Sequence, residues 1–595
     1  MSDKVKVTID GILVNVPADF TVLQAAQLAG VDIPTLCYHP DLRNSGNCRV
    51  CIVEIEGMPT FQPSCAFKVW DGIKVKTNTA ELRKARKMIV ELIASRHNTD
   101  CLRCDSNMNC ELQKLTDKMN LKEIRFEIQP DFEHPMDHSN IVQRDPSKCV
   151  NCGRCIRMCN EIQTVNALEW AGRGYEKMAM TTMEKPLAET ACISCGQCIN
   201  VCPVGALTER DDTEKAWAFI DDPEVHTVVQ TAPAIRAGIG EACGLEKGYL
   251  SAPKMFAAIK KLGFDKAMDT NFTADLTILE EGTEFLGRVT RAIKDGATDV
   301  AFPMFTSCSP GWINFIETYY PEFLPNLSTC KSPQQMFGPL AKTYYAEKAG
   351  IDPSKIRVVS IMPCTAKKFE CDRPEMNASG HKDVDIVLTT REFAKMIKTA
   401  NIDFATLPEI KPDDPMGIST GAADIFANTG GVMEAALRTV YEIITGDALP
   451  ALLNFTPVRG LVGIKEADIT IEKTAPGFEW LKGVTVKVAV VNSTGNARKL
   501  LDAIKAGEKS YHFVEVMCCP GGCIGGGGQA KPTSWAIKAK RAASIYREDE
   551  SRELRKSHES PAVAQIYKDF LEKPNSHKAH HLLHTHYFSK AHLIK

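Results

Sequence analysis

Cys149-Val150-Asn151-Cys152-Gly153-Arg154-Cys155-Ile156-Arg157-Met158-Cys159 and, further on, Cys192-Ile193-Ser194-Cys195-Gly196-Gln197-Cys198-Ile199-Asn200-Val201-Cys202-Pro203 are two copies of one pattern. Each spaces its cysteines by two, two and three residues, and proline closes the second. In this register the last cysteine of each run ligates the cluster held by the other, so eight thiolates hold two [4Fe–4S] clusters. Zinc is a poor reading of eight cysteines so arranged. The two runs are also the internal repeat of the chain. Fifteen of the 23 cysteines lie before residue 203. The first half therefore reads as an electron conduit, and the function depends on what lies at its end.

Upstream, residues 1–78 read as a sheet-plus-helix module. Val5 to Ile9 alternates as a strand, Asp10-Gly11 turns, and Ile12 to Val16 alternates back, which predicts a hairpin. Thr21 caps a predicted helix, Val22 to Ala29, that Gly30 ends. Cys37, Cys48, Cys51 and Cys65 follow, a set suited to one [2Fe–2S] cluster in a plant-ferredoxin-like fold, although the first gap exceeds the plant spacing. A zinc knuckle is the alternative. A helix over 80–96, with Ile89, Leu92 and Ile93 on its apolar side, delivers His97 just ahead of Cys101, Cys104 and Cys110. In module 79–138 this histidine and three cysteines make a site for a [4Fe–4S] cluster, or for zinc. Pro130 to Ser147 reads as a polar linker into the two-cluster domain, 139–210.

Bulk properties narrow the class. A chain of 595 residues exceeds what one core serves, so several domains are expected. A net charge of -3 offers no basic footprint for nucleic acid. No run approaches the roughly 18 apolar residues that span a bilayer. The opening residues, Met1 to Gly11, carry no basic-then-apolar leader, so a cytoplasmic location is expected and clustered cysteines read as metal ligands rather than disulfides.

From residue 222 the composition changes. Apolar β-branched runs at 227–229, 299–305, 356–362, 384–388 and 484–491 alternate with helical patterns, among them helices from Ala234 and Asn496. That alternation predicts an α/β domain, 222–530, with parallel strands and ligands gathered beyond their carboxyl ends. Cys308, Cys364 and the group Cys518, Cys519 and Cys523 follow such strands, predicting one further cluster. Cys243, Cys330 and Cys371 read as small buried hydrophobes. Gly525 to Gly528 lacks the lysine of a phosphate loop and reads as backbone held close to a bulky cofactor.

Three segments carry a resemblance to the catalytic subunit of [FeFe]-hydrogenases over nearly the whole chain. They are Thr306-Ser307-Cys308-Ser309-Pro310-Gly311-Trp312, Met362-Pro363-Cys364-Thr365-Ala366-Lys367-Lys368-Phe369-Glu370, and Glu515-Val516-Met517-Cys518-Cys519-Pro520-Gly521-Gly522-Cys523-Ile524-Gly525-Gly526-Gly527. The resemblance implies a multidomain α+β and α/β architecture. Its parts are an N-terminal plant-ferredoxin-like β-grasp, a His/Cys cluster module, a bacterial two-[4Fe–4S] ferredoxin-like domain, a two-lobed α/β domain, and a helical small-subunit-like tail at 531–595. It further implies an H-cluster: a [4Fe–4S] cubane joined to a diiron unit with CO, cyanide and a dithiolate amine. Cys523 matches the bridging cysteine, and Cys364 and Cys519 match cubane ligands. Lys367 would face a cyanide, while Ala232, Pro233, Gln334, Met362, Met517 and Phe426 would wall the diiron site.

One departure stands out. The family usually has two adjacent cysteines where this chain has Cys308 then Ser309, so by register the fourth cubane ligand is a serine. A serine alkoxide, a relocated Cys308, or help from Cys518 (at a position usually alanine) are the options. The expectation is that the cubane stays intact and Cys308 stays beside the diiron unit as proton donor. The segment from Glu280 to Glu284, with Arg288 and Ser328, resembles the family's proton relay and implicates Glu281, Glu284, Ser328 and Arg288.

The implied reaction is reversible oxidation of H2 to protons and electrons. No Gly-x-Gly-x-x-Gly unit with a suitably placed acid appears, so electrons are expected to pass to ferredoxin or to flavin- and NAD(P)-binding subunits of a hetero-oligomer. Two rivals differ in class: an H2 sensor with slow turnover, and a non-catalytic iron–sulfur assembly protein. The tail histidines His577, His580, His581, His584, His586 and His592 read as packing residues, although pairs four apart could bind a metal.

Overall fold

A computed structural model describes residues 4–126, 134–447 and 453–594. The chain divides into two compact units, one formed by Met1–Glu161, Asn166–Ala188 and Val201–Thr208, the other by Ile162–Val165, Glu189–Asn200 and Glu209–Lys595. Most of the second cysteine run belongs to the larger unit, where Gln197 and Asn200 donate to the carbonyls of Gly525 and Gly526 at 2.8 and 2.9 Å. Residues 531–594 pack within that unit too.

In the smaller unit, β1 (Lys4–Ile9) and β2 (Ile12–Pro17) form the expected hairpin. Its turn residues Asp10 and Gly11 have φ of 48° and 87°, the left-handed pair that a tight two-residue turn requires. With β3 (Ile52–Ile55), β4 (Gln62–Pro63) and β5 (Lys74–Lys76) they make a five-stranded sheet in the order β2-β1-β5-β3-β4. The helix Val22–Leu28 begins in a capping box between Thr21 and Gln24 and buries Leu23 and Ala26 against Val7, Ile9 and Val53.

The helix Ala80–Ala94 also forms, capped by Thr79, and Ile89 and Ile93 pack partly buried against the core as expected, but the rest of its buried face differs. Leu82, Arg86, Val90, Glu91 and Ala94 are buried, whereas Leu92 is 48% exposed. Two polar side chains take inside positions because each is paired there: Arg86 donates to the Ile52 carbonyl, and Glu91 binds Arg125 at 2.6 Å. Two ribbons follow, β6 (Val142–Arg144) with β9 (Leu207–Glu209) and β7 (Leu168–Ala171) with β8 (Met178–Thr181). The expected linker is thus partly structure, since Val142–Arg144 is a strand and Arg144 donates to the Ala179 carbonyl at 2.6 Å. Its first residues, Pro130 to Glu133, lie outside the described residues.

The larger unit holds two four-stranded sheets. One contains β10 (His226–Thr231), β11 (Lys266–Asp269), β13 (Ile356–Met362) and β14 (Ile386–Thr389), ordered β11-β10-β13-β14 and parallel throughout. The other contains β12 (Met304–Phe305), β15 (Ile464–Thr470), β16 (Thr485–Asn492) and β17 (Phe513–Met517), ordered β12-β17-β16-β15, with only β15 antiparallel. Both faces of the first sheet are covered, so β10 and β13 are buried almost end to end, and β10 carries polar Thr227, Gln230 and Thr231 inside. The strand expected at 299–305 shrinks to two residues, because Pro303 cannot donate to a ladder. The helix expected from Ala234 is a short turn, Pro233–Ile235, followed by the brief helix Ile239–Ala242. Fully buried Arg236 sits between them and draws its partners from elsewhere in the unit.

Candidate active site

The carboxyl ends of β10, β12, β13 and β17 converge on one cavity of about 80 Å³. Cys308, Cys364, Cys518, Cys519 and Cys523 all line it, as the strand-end positions predicted. So do Ala232, Pro233, Gln334, Met362, Met517 and Phe426, together with Ser309 and Lys367. The walls are tied down from behind. Arg236 bonds Asp269 and approaches Asp424 to 3.5 Å and Glu548 to 3.3 Å, while Asn271 donates to Asp424 at 2.6 Å, which fixes the turns bearing Pro233 and Phe426.

These residues suit a bulky, soft, anionic iron group. Thiols supply the donor set that iron–sulfur centres select. Gln334 Oε1 is buried without a hydrogen-bond partner, while its Nε2 is anchored to Glu370 at 3.1 Å. Lys367 Nζ reaches the wall through the Cys308 carbonyl at 3.1 Å and Glu370 at 2.8 Å, a fixed cation suited to an anionic ligand. Burial, followed by the charge of Glu281, pushes the Cys308 thiol well up, so it keeps its proton at neutral pH.

The glycine run departs from expectation. A Cβ on Gly526 would lie 2.1 Å from the Pro363 carbonyl oxygen, and one on Gly527 equally close to that of Cys195. These glycines admit protein backbone, and only Gly526 of the four also faces the cavity.

The helix Thr270–Val289 carries Glu281, Glu284 and Arg288 at spacings of three and four, hence on one face. Ser328 donates to Glu284 at 2.9 Å. Arg288 bonds Glu284 at 2.7 Å. Ser328, Glu284 and Arg288 therefore form one hydrogen-bonded set, and buried Glu281 stands one helical turn from Glu284, close enough to feel its charge. Burial, reinforced by the Glu284 charge, raises Glu281 from 4.5 to about 8. The sequence reading missed a side branch. Thr329 Oγ1 meets His584 Nδ1 at 2.8 Å, His584 Nε2 lies 3.4 Å from Glu280, and Tyr567 donates to Glu280 at 2.6 Å. His580 stacks on His584 at 4.5 Å, so the four-residue histidine spacing was the one available signal. Cys330, expected as a plain buried hydrophobe, lies 3.9 Å from Glu284.

Upstream, the Cys37 and Cys48 backbone N–H groups each donate to the other residue's sulfur, at 3.4 and 3.5 Å, and Cys51 and Cys65 are buried in the same module. His97 Nδ1 is buried without a partner, as an imidazole reserved for a metal would be. Cys202 joins Cys149, Cys152 and Cys155 around one small cavity, the grouping that ligand exchange between the two runs would need. All 23 cysteines are free thiols.

Residues 225–527 match the family described as iron only hydrogenase large subunit, C-terminal domain, and residues 536–590 match iron hydrogenase small subunit. Upstream, residues 2–80 match a 2Fe-2S iron-sulfur cluster binding domain, 86–125 the NADH-ubiquinone oxidoreductase-G iron-sulfur binding region, and 139–208 the ferredoxin-like domain of NADH-quinone oxidoreductase subunit 3. The chain belongs to the iron-only hydrogenase family. It is an oxidoreductase acting on H2, with iron–sulfur domains that carry the electrons.

Among individual relatives, the NADP-reducing hydrogenase subunit HndD of Solidesulfovibrio fructosivorans is 46% identical over 593 residues, covering 99% of each chain. Iron hydrogenase 1 of Clostridium pasteurianum is 39% identical, covering 98% of this chain and 99% of its own. A solved variant of the [FeFe]-hydrogenase HydA1 from Chlamydomonas reinhardtii superposes with a TM-score of 0.56 at 43% identity, over 64% of this chain and 99% of its own. No described helix is long and apolar enough to cross a membrane.

Proposed function

We propose that the chain is the hydrogen-converting subunit of an NADP-linked, cytoplasmic hetero-oligomer. Cys37, Cys48, Cys51 and Cys65 hold one [2Fe–2S] cluster in a β-grasp module, 1–78. His97, Cys101, Cys104 and Cys110 hold a [4Fe–4S] cluster in module 79–138. The doubled run holds two more within 139–210: one by Cys149, Cys152, Cys155 and Cys202, the other by Cys159, Cys192, Cys195 and Cys198. Cys364, Cys519 and Cys523 anchor the H-cluster in the two-lobed domain, 222–530. When bound, that group supplies the diiron centre and the pendant base for making or splitting H2.

The protein's share of the chemistry is burial, orientation and proton supply. Cys308 presents a protonated thiol at the cavity wall, and Glu281, Ser328, Glu284 and Arg288 pass protons between that thiol and solvent. Lys367 holds a fixed positive charge toward the group. The observation that carries this reading is the convergence of five strand-end cysteines on one cavity, with the relay helix beside Cys308. The NADP-reducing relative and the lack of a dinucleotide-binding fingerprint support a partner chain as the site of nicotinamide binding. Ferredoxin is the other candidate acceptor. Co-purification followed by H2-dependent reduction tests this: NADP+ reduced only with flavin-bearing subunits present supports it, and reduction by the isolated chain contradicts it.

Two further expectations concern single residues. Glu281 must be protonated to donate toward Cys308, so H2 evolution at fixed driving force should fall as pH rises through about 8. Activity flat to well above that pH would contradict the role. The same shift bears on stability: the folded chain holds an extra proton between 4.5 and about 8, so this carboxyl weakens the fold as pH rises across that window. At His97, cysteine should retain the cluster but add negative charge, lowering its potential by on the order of 100 mV in a redox titration.

A further inference from the structure

The two departures from the family pattern, Ser309 and Cys518, touch each other. The Cys518 backbone N–H donates to Ser309 Oγ at 3.1 Å. Ser309 opens the helix Pro310–Tyr319, yet its hydroxyl caps none of that helix's N–H groups. Its oxygen serves Cys518 instead. Turning it toward iron would strip that N–H of its acceptor at a residue only 3% exposed, and buried donors are not left unpaired without cost. A serine ligand would also have to shed the proton of a far weaker acid than a thiol.

The Cys518 thiol has none of these handicaps. It lines the same cavity as Cys364, Cys519 and Cys523. Space for the sulfur exists because residue 311 is glycine, where a Cβ would approach Cys518 Sγ to 2.6 Å. On its other flank the thiol is within reach of Cys195, and Gln163 Nε2 lies 3.7 Å away.

We propose that Cys518 is the fourth protein ligand of the cubane, and that Ser309 has become the hydrogen-bonding support that fixes the Cys518 backbone. Ligation forms one iron–sulfur bond and releases the thiol proton to solvent, with no change in oxidation state. The ligand set of the cubane then abuts Cys195, which belongs to the neighbouring accessory cluster, and electrons have a short covalent and van der Waals route between the two centres. The inference rests on the reading that Cys364, Cys519 and Cys523 hold the other corners.

The test counts iron and acid-labile sulfide per full-length chain and follows the cluster signals by electron paramagnetic resonance and Mössbauer spectroscopy. In full-length chain produced without the diiron unit, Cys518→Ala should lose about four irons, with the accessory-cluster signals intact, while Ser309→Ala keeps its iron. The double variant Ser309→Cys/Cys518→Ala should regain the lost iron, which a misfolded chain would not. Full iron in Cys518→Ala overturns the proposal, all the more if the accessory-cluster potential shifts, since Cys518 would then be a sulfhydryl donor to Cys195. Iron loss in Ser309→Ala alone overturns it in favour of the serine. Cys364→Ala and Cys519→Ala separate the two levels: if they keep full iron, the underlying ligand assignment fails, not only the role of Cys518.

Discussion

Cys308→Ala is expected to lower turnover in both directions by about 10²–10⁴-fold, the range for removing a positioned proton-transfer group, with iron content unchanged. The thiol lines the cavity beside the relay helix, and burial keeps it protonated. Lys367 holds the Cys308 main-chain carbonyl rather than its sulfur, so truncation leaves that contact in place. Cys308→Ser should recover part of the activity, since a hydroxyl still bridges donor and acceptor but is a weaker acid. Activity with a redox dye, read beside iron per chain, checks both. Iron loss in the alanine variant would make Cys308 a cluster ligand and remove it from the relay.

Arg541→Met should cost about 3–5 kcal/mol of stability, the usual penalty for stranding a buried charge. Arg541 sits on the helix Trp535–Ser551 and pairs with Glu241 at 2.9 and 2.6 Å, both side chains fully buried. The same guanidinium donates to the carbonyls of Ile524 and Ala530 at 2.8 and 3.1 Å. It thereby clamps the loop that follows Cys523, so the variant should also load less iron. Chemical denaturation of wild type, the single variant and Arg541→Met/Glu241→Met checks the cause. Recovery in the double variant identifies the stranded carboxylate, and equal loss in both points to the loop carbonyls instead.

What the sequence revealed followed from how local each signal was. Cysteine spacing picked out the candidate ligand groups of the first half, because a few residues of chain limit how far apart neighbouring thiols can sit. The hairpin at Asp10-Gly11, the cap at Thr21 and strands β10, β13 and β16 were legible for the same reason. Failures came where partners distant in sequence decide. Arg86 and Glu91 are inside the helix Ala80–Ala94 only because Ile52 and Arg125 receive them. The glycine run looked like a cofactor cradle but mostly admits the backbone at Pro363 and Cys195. His584 reaches the relay from a segment some 300 residues past Glu280, and no local pattern encodes that meeting.

The same long-range convergence explains why the site needed family resemblance to be named. Strand ends far apart in the chain meet at one cavity, and alternation alone says that they are strand ends without saying that they meet. Cys518 and Ser309 show the limit in small: each is a plain departure when read singly, and their hydrogen bond turns them into one exchange.

The most direct test is infrared spectroscopy of the matured full-length chain, paired with gas evolution from a strong reductant. Bands of iron-bound CO and cyanide that shift under H2, accompanied by H2 production, are the predicted result. A protein with its accessory clusters intact but with neither those bands nor gas would contradict the claim that the cavity thiols hold a hydrogen-converting iron centre.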